Sequence, residues 1–239
     1  MEILKYGPKE GSVVNISLHG FPGVHSKQNR EIAEVVAQVT GHRTEVFLYS
    51  GLGVAPGTFS FRNCIREVES RIDEILNEST ATKIRLIGHS WGGYLALRMA
   101  CIYASRLEKL VLMSPLLEFP GEEAAREGLK AYQRDYPFLN LGDIEKLALE
   151  LSTVASENSP YDLVASLPKE LVVLFLQAKN DEITPEANAL KALEYFKRPP
   201  VFELVETDHS FVENRPRIAR RIAEFLAGSS LNTTAGSNL

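Results

Sequence analysis

Apolar runs alternate with amphipathic stretches along most of this chain. Val13 to Leu18 is a short apolar run and predicts the first clear strand. Asn29 to Val39 then carries apolar residues at helical spacing, entered near Ser26 and left at Gly41. Thr44 to Tyr49 predicts a strand, and Phe61 to Leu76 a helix with Ile65, Val68, Ile72, Ile75 and Leu76 on one face. Ile84 to Ile87 reads as a strand, Tyr94 to Ala104 as a helix and Leu110 to Met113 as a strand. Strands recur at Leu171 to Gln177 and Val201 to Val205, and a last helix at Arg217 to Leu226. A helix also opens at Thr184-Pro185, with threonine as N-cap and proline at the first helical position. This alternation predicts an α/β fold: a doubly wound, mostly parallel sheet of roughly six to seven strands, covered by helices on both faces.

The alternation breaks once. From Pro115 to Pro168 no strand pattern occurs, and two amphipathic helices are predicted at Glu122 to Arg134 and Asp143 to Ser156. A long excursion of this kind inside a compact domain is usually functional. Residues 115–168 are therefore expected to form a helical cap inserted into a core made of 1–114 and 169–227. The last stretch, 228–239, is Ser, Asn, Thr and Gly rich and is expected to be a disordered tail.

Composition narrows the function classes. With 239 residues, 44% hydrophobic and 24% charged, the chain can bury one good core. A net charge of −5 gives no reason to expect nucleic acid or an anionic membrane as partner. Met1 to Glu10 lacks the apolar centre of a signal peptide, and no run approaches the roughly 18 apolar residues of a membrane span. The expectation is a cytoplasmic protein with no stable membrane association, monomeric or a small homo-oligomer. Cys64 and Cys101 fall on predicted helices and read as free thiols. No His-x-x-x-His or Cys-x-x-Cys spacing occurs, so neither a metal nor an organic cofactor is expected.

The chemistry is concentrated in Gly88-His89-Ser90-Trp91-Gly92, a Gly-x-Ser-x-Gly pattern between a predicted strand and a predicted helix. A sharp turn there lifts the serine hydroxyl above the strand ends, and the helix after it points N–H groups at developing negative charge. Serine needs a base to become a nucleophile. His209 lies just past the last strand, where catalytic groups collect in open parallel sheets. Asp181, in the loop after the preceding strand, is placed to orient that histidine, with Glu182 as the local rival. His89 is read as structural, its side chain pointing away from the serine's pocket, and His19 as holding the loop it begins. His25 and His42 are read as solvated. The main-chain N–H groups of Trp91 and Phe21 are the candidate oxyanion donors; Pro22 has none to offer. Phe119, Tyr132, Tyr136 and Phe138 are the insertion's candidates for binding the apolar part of a substrate.

Together, His19-Gly20 after a strand, the Gly88 to Gly93 turn, Asp181 with Pro185 four residues on, and Asp208-His209 resemble the α/β-hydrolase superfamily, in the family's order of serine, acid and histidine. The resemblance runs to about Leu226 and is nearest to small carboxylesterases. The chain departs from the family at Tyr49, where an aspartate is usual, at Ala178, where a glycine is frequent, and in a short N-terminus that implies missing or reduced first antiparallel strands. Serine at the turn excludes the dehalogenase and epoxide-hydrolase chemistries, which use aspartate there. The resemblance implies hydrolysis of a small-molecule carboxylic ester through Ser90, His209 and Asp181. Thioester or carbon–carbon bond cleavage by the same groups is the alternative, followed by a non-catalytic ligand-binding relative.

Overall fold

The structure is a computed structural model that describes residues 1–23, 26–77 and 80–228. Its centre is a seven-stranded sheet. In chain order the strands are β1 (Glu2–Tyr6), β2 (Val13–Leu18), β3 (Arg43–Leu48), β4 (Lys83–His89), β5 (Leu107–Met113), β6 (Val172–Ala178) and β7 (Val201–Val205). Their order across the sheet is β1-β3-β2-β4-β5-β6-β7. All neighbours run parallel except β1, which pairs antiparallel with β3. So one reduced antiparallel strand survives at the N-terminus. Its sequence, EILKY, mixes charged and apolar residues and carries little strand signal alone.

The helices are α1 (Ser26–Thr40), α2 (Phe61–Asn77), α3 (Trp91–Ile102), α4 (Glu122–Asp135), α5 (Ile144–Glu157), α6 (Pro160–Ser166), α7 (Glu186–Leu193) and α8 (Arg215–Ala227). Burial divides them between the two faces. Ile32 and Val36 of α1 join Ile218 and Ile222 of α8 against Ile87, Val111 and Leu174 of the sheet. On the other face Val68 and Ile72 of α2 and Leu95 and Met99 of α3 cover Ile16, Leu86 and Leu110. The central strands read as unbroken apolar runs because both of their sides are buried.

Three helices, α4 to α6, connect β5 to β6. The third begins at a proline and is seven residues long, too short to show a periodic pattern. One cap differs from expectation: Pro185, not Thr184, is the N-cap of α7, because the Thr184 hydroxyl is engaged elsewhere. Of the tail, only Gly228 lies within the described residues, as the left-handed C-cap of α8; 229–239 lie outside them. Among the described residues no helix is long and apolar enough to cross a membrane.

Candidate active site

Each candidate group sits at the carboxyl end of a parallel strand. His19 follows β2, Ser90 follows β4, Asp181 lies beyond β6 and His209 beyond β7. Ser90 is held at φ 55° and ψ −120°, an arrangement an L-residue adopts at a cost of roughly 1–3 kcal/mol. The surrounding glycines make this turn possible. A Cβ on Gly92 would lie 2.1 Å from the Leu18 carbonyl oxygen, and one on Gly88 would lie 2.3 Å from that of Gly92. Gly20 approaches from the loop after β2, where a Cβ would come within 2.9 Å of Ser90 Cβ.

The candidate acid and the candidate base are brought together. His209 Nδ1 lies 2.8 Å and 2.9 Å from the Asp181 carboxylate oxygens. Asp181 also accepts from the main-chain N–H of Thr184 at 2.7 Å and of Ile183 at 3.0 Å, and from Thr184 Oγ1 at 2.8 Å. Burial acts to raise its carboxyl, but His209, the Thr184 N–H and the Ser114 hydroxyl outweigh that and hold it down at about 2. An ionised carboxylate only accepts, so Nδ1 carries the ring proton and Nε2 keeps its lone pair. Glu182 is exposed and stands outside this network. Asp208 also turns away, toward the main-chain N–H of Val212 at 3.3 Å.

Ser90 Oγ makes no hydrogen bond among the described residues. In unliganded sites such bonds are often long and tighten only around substrate. The main-chain N–H groups of Phe21 and Trp91 likewise find no acceptor there, so both are available to a ligand oxygen.

Two cavities meet here. The larger, about 480 Å³, is lined by Ser90, Trp91, Phe61, Leu116 and Phe119. The smaller, about 180 Å³, is lined by His209, His89, Asn29, Tyr136 and Ser210. Phe21, Tyr132 and Ile183 line both and form the wall between them. The Phe21 and Tyr132 rings meet edge to face at 5.3 Å, which ties the loop after β2 to α4. Of the insertion's aromatic residues, Phe119 and Tyr132 therefore reach the serine's cavity and Tyr136 the histidine's. Phe138 lines neither; it is 59% exposed and packs on Tyr136 at 6.0 Å.

The remaining histidines divide. His89 does not turn away from the site as expected: its ring lies 4.8 Å from that of His209, and its Nε2 donates to the His209 carbonyl at 2.8 Å. Burial and the neighbouring His209 push it down to about 3, so it stays neutral and fixes the backbone that carries the base. His19 donates from Nδ1 to the Gly20 carbonyl at 2.7 Å, and burial lowers it to about 4. That is the loop-holding role its position suggested. His42 is half-buried rather than solvated, and His25 lies outside the described residues. Two residues that support the Asp181 carboxylate were not legible as such in the sequence. Ser114, at the end of β5 with φ 38°, supports Asp181 from a distant part of the chain, and Thr184 reads locally as a helix cap. Among the described residues no group of His, Cys, Asp or Glu side chains could hold a metal ion.

The structure superposes on a monoacylglycerol lipase from Paleococcus ferrophilus with a TM-score of 0.74 at 20% identity, covering 96% of this chain and 99% of that one. Est1E of Butyrivibrio proteoclasticus with bound ferulic acid gives 0.75 at 18% identity, covering 95% and 94%. At the sequence level the chain is 25% identical to RutD, a putative carbamate hydrolase of Variovorax paradoxus, over 121 residues, which is 51% of this chain and 44% of that protein. The chain spans less than half the length of the curated relatives it matches. A family model for the alpha/beta hydrolase fold matches residues 16–197. On that match, across strands β2 to β6 and the Ser90 turn, the chain belongs to the alpha/beta hydrolase fold family.

Proposed function

We propose that this protein is a serine hydrolase of carboxylic esters with small to medium acyl groups, and that it works through an acyl-enzyme intermediate. The observation that carries this reading is a strained serine lining an aromatic cavity, together with a histidine past the carboxyl end of another strand of the same sheet whose Nδ1 is held by an ionised aspartate. Ser90 Oγ attacks the ester carbonyl while His209 Nε2 takes its proton. The oxyanion that forms receives the N–H groups of Phe21 and Trp91. As the tetrahedral intermediate collapses, Nε2 returns the proton to the leaving alkoxide, and water then releases the acid by the same route. Asp181 keeps the imidazole in the tautomer this cycle needs and stabilises the imidazolium.

The helices between β5 and β6 act as a cap. Phe119, Leu116 and Tyr132 line the same cavity as the serine and bound the space an acyl chain can fill, which favours short and medium chains over long-chain lipid. The test is a panel of ester, thioester and β-diketone substrates with wild type and Ser90→Ala. Turnover of esters should dominate, and the variant should lose on the order of a millionfold in kcat. Ester turnover surviving in the variant, or a clear preference for thioesters or diketones, would overturn the assignment.

A further inference from the structure

The two cavities are chemically unlike, and each suits a different part of the substrate. A leaving alkoxide must come within hydrogen-bond reach of the group that protonates it. On the serine-esterase reading that group is His209, so the 180 Å³ cavity takes the alcohol and the 480 Å³ cavity, beside Ser90 and Trp91, takes the acyl group. The smaller cavity is partly open, and Phe21, Tyr132 and Ile183, which line both cavities, bound it on the side of the larger one, so a short alcohol fits it best.

Among the described residues no lysine or arginine lines the smaller cavity. Its imidazoles His19 and His89 are both held neutral, at about 4 and about 3, chiefly by burial. Among the described residues, then, no side chain other than His209 offers a positive charge to a phosphate or carboxylate on the alcohol. What the cavity does offer is Asn29, on the first turn of α1. Its side chain lines the cavity and the residue is only 4% exposed. A single long contact, 3.5 Å to Ser17 Oγ, occupies one end of its amide. The other end has no partner among the described residues. That end is the Nδ2 amide, which is left free to donate to a ligand hydroxyl in the cavity. A hydroxyl both donates and accepts, so it satisfies whichever end of the amide faces it.

We propose that this smaller cavity is the leaving-group subsite and that it selects short, neutral alcohols bearing a second hydroxyl, anchored by the Asn29 amide. The discriminating substrates are the 2-hydroxyethyl and propyl esters of one medium-chain acid, which differ only by OH for CH₃ at the end of the alcohol. Wild type should prefer the hydroxyethyl ester in kcat/KM by roughly five- to tenfold, the worth of one net hydrogen bond. Asn29→Leu, similar in shape but apolar, should reduce that preference to near unity. Both esters are read on one preparation, so any unfolded fraction cancels from the ratio. Independently, wild type should hydrolyse a benzyl ester at least about tenfold better than a 2-naphthylmethyl ester, and Tyr132→Ala, which thins the wall, should narrow that gap. Equal ratios in wild type and Asn29→Leu, or equal use of the two arylmethyl esters by wild type, would overturn the proposal. Those results with turnover still dependent on Ser90 sink the subsite alone. Absence of any ester turnover together with an unreactive Ser90 sinks the esterase reading and the subsite with it.

Discussion

Asp181→Asn keeps the side chain's shape and removes its charge, and the hydrogen bonds around it determine how the site responds. Oδ1 receives the two main-chain donors, Thr184 N at 2.7 Å and Ile183 N at 3.0 Å. Oδ2 faces Thr184 Oγ1 and His209 Nδ1, both at 2.8 Å, and Nδ1 also lies 2.9 Å from Oδ1. An asparagine must keep its oxygen toward the main-chain donors, since an NH₂ there would meet two N–H groups. Its NH₂ then points at His209 Nδ1. Nδ1 then faces that NH₂ at 2.8 Å as well as the retained oxygen at 2.9 Å, and the tautomer that accepts from the NH₂, with its proton on Nε2, can no longer take a proton from Ser90. The expected loss is roughly 10⁴ in kcat, or about 5.5 kcal/mol of transition-state stabilisation, the size of effect such a swap has when the three groups act as a unit. KM should change little, because Asp181 touches no substrate. Steady-state kinetics on a short-chain ester, with circular dichroism to confirm folding, measures both. A loss below about tenfold, or a larger loss from Glu182→Gln than from Asp181→Asn, would refute the reasoning.

His89 at about 3 and His19 at about 4 have lost their protons above about pH 5, so neither should add a limb to the pH dependence of activity there; a limb abolished by His89→Asn or His19→Asn would contradict this. Asp181 titrates at about 2, below its ordinary 3.8, so its contribution to stability is intact above that ordinary value and fades only as pH falls toward 2. His19 and His89, held at about 4 and about 3 against an ordinary 6.5, act at higher pH: only the unfolded chain takes up their protons as pH falls below about 6.5, so the urea midpoint should drop between pH 6.5 and 4.5, and an unchanged midpoint would contradict this. Gly92→Ala should destabilise the fold by at least about 2 kcal/mol in a urea melt, because its methyl would sit 2.1 Å from the Leu18 carbonyl oxygen; an unchanged midpoint would show that the turn has room. Phe119→Ala should shift kcat/KM toward longer acyl chains in an ester series, whereas Phe138→Ala, 59% exposed and outside both cavities, should leave the profile as it is; identical profiles for both would remove the cap from substrate selection.

Much of the fold is legible in the sequence because the sheet is buried on both sides. Val13–Leu18 and Val172–Ala178 stand out as apolar runs, and α2 as a periodic face. The turn at Ser90 is legible for a steric reason, since only glycine fits at 88 and 92. What stays hidden depends on contacts between distant segments. β1 is a strand by virtue of its pairing with β3, and the short α6 is a helix by position rather than by pattern. Thr184 looks like a cap until the fold presents its hydroxyl to Asp181. His89 shares a local motif with Ser90 but acts on His209, 120 residues away. Asn29 carries no motif at all; its significance comes from burial beside a cavity that only the folded chain encloses.

The central claim is that Ser90 is a nucleophile activated by His209. Treatment with a fluorophosphonate, with peptide mass spectrometry and a residual-activity assay on the same samples, tests it most directly. The account predicts one adduct per chain, on the peptide containing Ser90, with esterase activity falling in proportion to labelling and no adduct in Ser90→Ala or His209→Ala. Full activity after exposure to excess reagent, or inactivation that tracks an adduct on a different residue, would contradict it.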